Sequence, residues 1–106
     1  MNEYAGWMPS YRVTLSIGAL RPGVAPPDVL PAAGAAAAEV TELEASELSV
    51  VAGEARITVR FSADDAELAE QVAAHVGQAT ARLAAVVTAR LTERVGARWY
   101  PVSSGR

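Results

Sequence analysis

The chain has 106 residues, 51% of them hydrophobic and 20% charged, with a formal net charge of −3. That balance excludes a disordered chain, and the size suits one domain. With no cysteine, disulfides, zinc fingers and thiol catalysis are excluded, and the acidic balance argues against bulk attraction to nucleic acid.

No run of about 18 apolar residues is free of charge, so no transmembrane helix is expected. Alanine dominates, and all nine basic residues are arginine, a usage that also fits a high-GC coding sequence. The first residues carry Glu3 where a signal peptide wants basic residues, so the expected location is the cytoplasm. Residues 1–10 read as an N-terminal arm. Tyr4, Trp7 and Met8 stand out there, because aromatic residues and Met are enriched at protein interfaces. They either fold back onto the domain or contact a second protomer.

Residues 11–20 alternate. Tyr11, Val13, Leu15, Ile17 and Ala19 share one face, and Arg12, Thr14, Ser16 and Gly18 share the other, which predicts a half-buried strand. Arg21, Pro22 and Gly23 break it. Asp28 among Pro26, Pro27 and Pro31 marks the start of an Ala-rich helix over residues 32–39.

Residues 40–51 read as a second strand with a phase fault, since Leu43 and Ala45 are out of step with Leu48 and Val50. A β-bulge near Ser46 and Glu47 would restore one buried face. Ala52 and Gly53 form a two-residue turn into a third strand, where Ala55, Ile57, Val59 and Phe61 alternate with Arg56, Thr58 and Arg60. This turn predicts the pairs Val50–Ala55, Ser49–Arg56, Leu48–Ile57 and Glu47–Thr58.

Residues 62–65 resemble a capping box, with two acids suited to a helix N-terminus. From there a second, unusually long helix is predicted to reach Val95, with Gly96 as its stop and Gly77 as a point of doubt. Val87, Leu91 and Val95 then share a stripe on its last turns. The apolar arc is wide enough to contact either the first helix or another protomer. Residues 97–102 form a last strand, confined to a sheet edge by Pro101, and residues 103–106 form a tail.

The expected fold is therefore α+β, a ferredoxin-like βαββαβ sandwich over residues 11–102. It has a four-stranded antiparallel sheet with both helices on one face.

No catalytic constellation is legible. His75, the only histidine, lacks a partner at a useful spacing, and neither a metal site nor a cofactor motif is present. The open sheet face is the chemically suggestive surface. Arg12, Arg56 and Arg60 lie there with Thr14, Ser16 and Thr58, and Arg98 and Tyr100 extend it, with Trp99 turned to the core. Guanidinium groups beside hydroxyls suit a carboxylate or phosphate. The same face also reads as a solvated surface laced by Glu–Arg pairs.

Leu15-Ser16-Ile17-Gly18-Ala19-Leu20 faintly resembles the first-strand signature of the RNA recognition motif family. That family stacks bases on aromatics of its first and third strands, where this chain presents Ser16, Arg56, Thr58 and Arg60. RNA binding is not expected.

Two functions follow. The first is a non-catalytic protein–protein interaction or assembly module, homo-oligomeric through the long helix and the N-terminal arm. The second is a dimeric α/β barrel, a small-molecule binding protein or a cofactor-independent enzyme, holding a small anion on Arg12, Arg56, Arg60 and Arg98. A ligand-sensing regulatory domain of the same topology is a third class.

Overall fold

The computed structural model describes residues 8–102. In chain order it contains β1 (Ser10–Leu20), a 3₁₀ turn (Pro26–Asp28), α1 (Val29–Val40), β2 (Glu42–Val51), β3 (Glu54–Ser62), α2 (Ala66–Ala81), β4 (Ala84–Val95) and β5 (Arg98–Pro101). The five strands form one antiparallel sheet in the order β2-β3-β1-β4-β5. The class is α+β with two helices, as the alternation predicts, but the sheet has five strands rather than four.

The core lies between one sheet face and the helices. Tyr11, Val13 and Leu15 of β1 and Ile57, Val59 and Phe61 of β3 project into it, all 1% exposed or less. Above them sit Ala33, Ala36 and Ala37 of α1 and Ala69, Val72 and Val76 of α2. The alanines allow α1 to approach the sheet closely, since a Cβ added at Gly34 would lie 3.2 Å from Ser46 Oγ on β2.

The β2–β3 hairpin has the register that its turn dictates. Val50 faces Ala55, Ser49 faces Arg56, Leu48 faces Ile57 and Glu47 faces Thr58. Ala52 and Gly53 have φ of 53° and 79°, the pattern of a type I′ turn. The bulge lies between Leu43 and Ala45, earlier than expected. The Thr41 hydroxyl, donating to the Ser62 carbonyl, ties the start of β2 to the end of β3.

The long helix is corrected. Asp65 caps α2 by accepting the Leu68 N–H at 2.9 Å, so the start is as expected. The helix continues through Gly77 and stops at Ala81. The remaining residues of the predicted helix form β4. No glycine ends α2. Instead Arg21, just after β1, donates its Nε–H to the Ala81 carbonyl at 3.1 Å and its backbone N–H to the Leu83 carbonyl at 2.8 Å. The first bond satisfies a carbonyl that the helix end leaves without a partner, and the second ties the turn before β4 to the end of β1. Gly96, with φ of 63°, serves in the two-residue β4–β5 turn rather than as a helix stop. The strand at the sheet edge containing Pro101 is β5, as expected.

Candidate functional site

The sheet face opposite the helices is open, and strand register orders its side chains. One row across β3, β1 and β4 is Arg56, Ser16 and Thr88. The next is Thr58, Thr14 and Arg90, and the third is Arg60, Arg12 and Thr92. Each row combines guanidinium and hydroxyl groups, as the alternation of β1 and β3 implies. Arg90 was hidden from this face by the helical assignment of β4.

Arg12 and Arg60 are both engaged. Trp99 crosses the face from β5, with the Arg12 guanidinium 4.0 Å and that of Arg60 5.4 Å from its ring centroid. Arg60 Nε also donates to the Glu44 carboxylate at 2.8 Å, and Ser10 Oγ donates to the same group at 3.0 Å. Here the expected Glu–Arg lacing is real. Three orientations are corrected: Trp99 lies on the open face, and Arg98 and Tyr100 lie on the other. Arg98 pairs with Val95, and Tyr100 pairs with Glu93, which itself faces Tyr11 on the helix side. Arg98 is therefore not brought together with Arg12, Arg56 and Arg60.

Arg56 meets only weak competition on this face. Its one acidic partner is Glu54 at 3.4 Å, and its Nε is buried without a hydrogen-bond partner. Together with Arg90, Thr14, Ser16 and Thr88 it lines a depression of about 430 Å³.

The second region of interest is β4. As a strand it does not align Val87, Leu91 and Val95 in one stripe. Leu91 faces Val13 on the helix side and is partly buried, Val95 is exposed beside Arg98, and Val87 sits against Gly18. Met8 and Val95 both line an open hollow near Gly96. Tyr4 and Trp7 lie outside the described residues.

β5 pairs with Thr92, Glu93, Arg94 and Val95, and the Leu91 carbonyl accepts the Val102 N–H at 2.9 Å. The outer side of residues 84–90 has no strand partner among the described residues. On the helix side this open edge adjoins a groove of about 380 Å³ between α2 and β4, with Ala74, Gly77, Ala81, Val86, Ala89 and Leu91 among its walls.

His75 bridges the helices, its Nε2 lying 2.8 Å from Glu39 of α1. Burial pushes the Tyr11 hydroxyl above the ordinary tyrosine pKa, and the carboxylates Glu93 and Asp65 add to the shift. Among the described residues no cluster of three or more His, Asp or Glu side chains is arranged to hold a metal. No described helix is long and apolar enough to cross a membrane. Comparison with protein-family models, with curated proteins and with solved structures finds no match.

Proposed function

We propose that this chain is a non-catalytic assembly module in which two copies join through the free edge of β4. One observation carries the proposal: among the described residues, 84–90 form a strand edge without a partner, and Arg90 is its one charged residue. Unpaired N–H and C=O groups on such an edge are a template for another strand. In a two-fold antiparallel pair centred near Val87, the window matches itself, and Arg90 faces an alanine rather than its own copy. The helix-side groove next to the edge would take side chains from the partner strand.

The size also fits. A strand window of this length is roughly 24 Å long, and the molecule is 25 Å thick across its shorter axes. The covered strip is then roughly 600 Å² per protomer, near the lower bound of about 1,200 Å² in total for stable specific interfaces. The expected helix-mediated route is replaced, because α2 ends at Ala81. The N-terminal arm remains part of the proposal, supported by Met8 lining the same hollow as Val95 at the far end of β4.

The order β2-β3-β1-β4, with α1 and α2 as the two crossovers, supports reading the first four strands as a ferredoxin-like unit with β5 appended.

Light scattering on a size-exclusion column tests the assembly. A dimer at micromolar concentration is expected. Ala89→Lys, at an exposed position on the open edge, should convert it to a folded monomer, because an inward lysine is how natural edges block pairing. A wild-type monomer across that range, or a dimer indifferent to Ala89→Lys, overturns the proposal.

A further inference from the structure

Four arginines on the open face have different duties. Arg12 and Arg60 hold Trp99, and Arg60 also holds Glu44. Arg56 and Arg90 flank β1 from opposite sides, one row apart. Strand spacings put their Cα atoms about 12 Å apart, so both long side chains can close on one group lying over Thr14 and Ser16. Ser16 is 7% exposed and forms the floor. Thr88 completes the row opposite Arg56.

The competition at this place is weak. Glu54 meets Arg56 at 3.4 Å, with both side chains about 40% exposed, and such exposed pairs contribute little. Glu47 faces Thr58 from β2, beyond the guanidinium pair. Arg90 makes no hydrogen bond or ion pair among the described residues. The buried Arg56 Nε–H, lacking an acceptor, is a donor for which burial is costly unless something accepts from it.

We infer that the depression bounded by Arg56 and Arg90 is a binding site for a small oxyanion, a phosphate or carboxylate group. The two guanidiniums supply charge-assisted hydrogen bonds, and the Thr14, Ser16 and Thr88 hydroxyls donate between them. The volume of about 430 Å³ leaves room for an oxyanion carried on a small organic ligand. Thr88 and Arg90 belong to the β4 edge window as well, but a monomer contains all of the site.

The test is calorimetric titration of the full chain with inorganic phosphate and, separately, citrate, against sodium chloride at matched ionic strength. Saturable binding of either anion at millimolar concentration or below is expected, and which one binds tells phosphate from carboxylate recognition. Arg56→Gln and Arg90→Gln should each weaken it about tenfold or more, whereas Arg98→Gln, on the opposite face, should not. Amide NMR shifts on titration should concentrate at Thr14, Ser16 and Thr88, which keeps the test decisive if a variant folds poorly. No binding beyond the chloride control, equal binding in both glutamine variants, or shifts centred elsewhere each overturn the inference.

Discussion

The two edges of the sheet are built from different materials. β2 carries Glu42, Glu44 and Glu47 along its length, and its bulge falls at Glu44. Glu44 turns back across the sheet to Ser10 and Arg60, which anchors the distorted stretch. β4 also has a register shift, near Val87, but residues 84–89 carry no charge. There the chain covers the far end of the strand instead, with β5 over Thr92 to Val95 and Val102 bonded to Leu91. Acids, bulges and covering segments are all recognised ways of blunting an edge. β2 uses the first two along most of its length, although Leu48 and Val50 leave its hairpin end apolar and exposed. β4 uses covering over part of its length and has irregular register between Ala84 and Thr88, but no acid in that stretch. The difference locates the surface most open to a second strand, and it predicts which changes shift it.

The largest expected effect comes from removing the cover. Trp99 lies on the open face under two guanidiniums and fastens β5, a short strand, to the sheet. Each half-exposed cation–π contact contributes about 0.5–1 kcal/mol, and the lost apolar contact of the indole adds to that. Trp99→Ala should therefore destabilise the domain by about 2 kcal/mol in denaturant unfolding. It should also free the rest of β4 and increase concentration-dependent self-association. Stability unchanged within about 0.5 kcal/mol would show that β5 is held by its backbone ladder alone.

A smaller effect is expected on the guarded edge. Glu44→Ala removes the acceptor shared by Arg60 and Ser10. The Arg60–Glu44 pair is about 30% exposed on either side, so the loss should be about 1 kcal/mol. The sharper readout is assembly. If charge guards β2, Glu44→Ala combined with Glu47→Val should give species larger than a dimer, since both edges then pair. A double variant with the oligomeric state of the wild type would assign the protection of β2 to the bulge and not to its acids.

The same contrast explains what the sequence made legible. Period-two alternation specified β1 and β3, and the turn at Ala52 and Gly53 specified the β2–β3 register residue by residue, because a two-residue loop leaves little freedom. The end of α2 was not legible. It closes through the Arg82 and Leu83 N–H groups, which donate to the Ala79 and Thr80 carbonyls, while Arg21 reaches the Ala81 carbonyl from across the fold, and residues 82–83 offer neither Gly nor Pro as a stop. Residues that alternate as a strand in β4 also satisfy a helical stripe, so periodicity alone could not decide. The signals available were Thr88, Arg90, Thr92 and Arg94 at every second position and the β-branched run Val86-Val87-Thr88. Misreading β4 hid Arg90 from the open face. The face of Trp99 was missed for a related reason: the phase of so short a strand depends on its turn, and Gly96 had been assigned to a helix end.

The smallest effect separates stability from assembly. Ala52 is the one described non-glycine residue with positive φ, at 53°, in the hairpin tip that joins β2 to β3. A Cβ in the left-handed region costs roughly 1 kcal/mol, partly offset by the greater unfolded-state entropy of glycine. Ala52→Gly should therefore stabilise the domain by about 0.5 kcal/mol, read as a higher denaturation midpoint at unchanged slope. The tip is remote in chain and sheet order from β4, and sites that share no partners act additively. The oligomeric state should not change, and the gain should persist in the Ala89→Lys background. If Ala52→Gly altered self-association instead, the β2–β3 hairpin and not the β4 edge would be implicated in pairing, and the contrast between the two edges would be reversed.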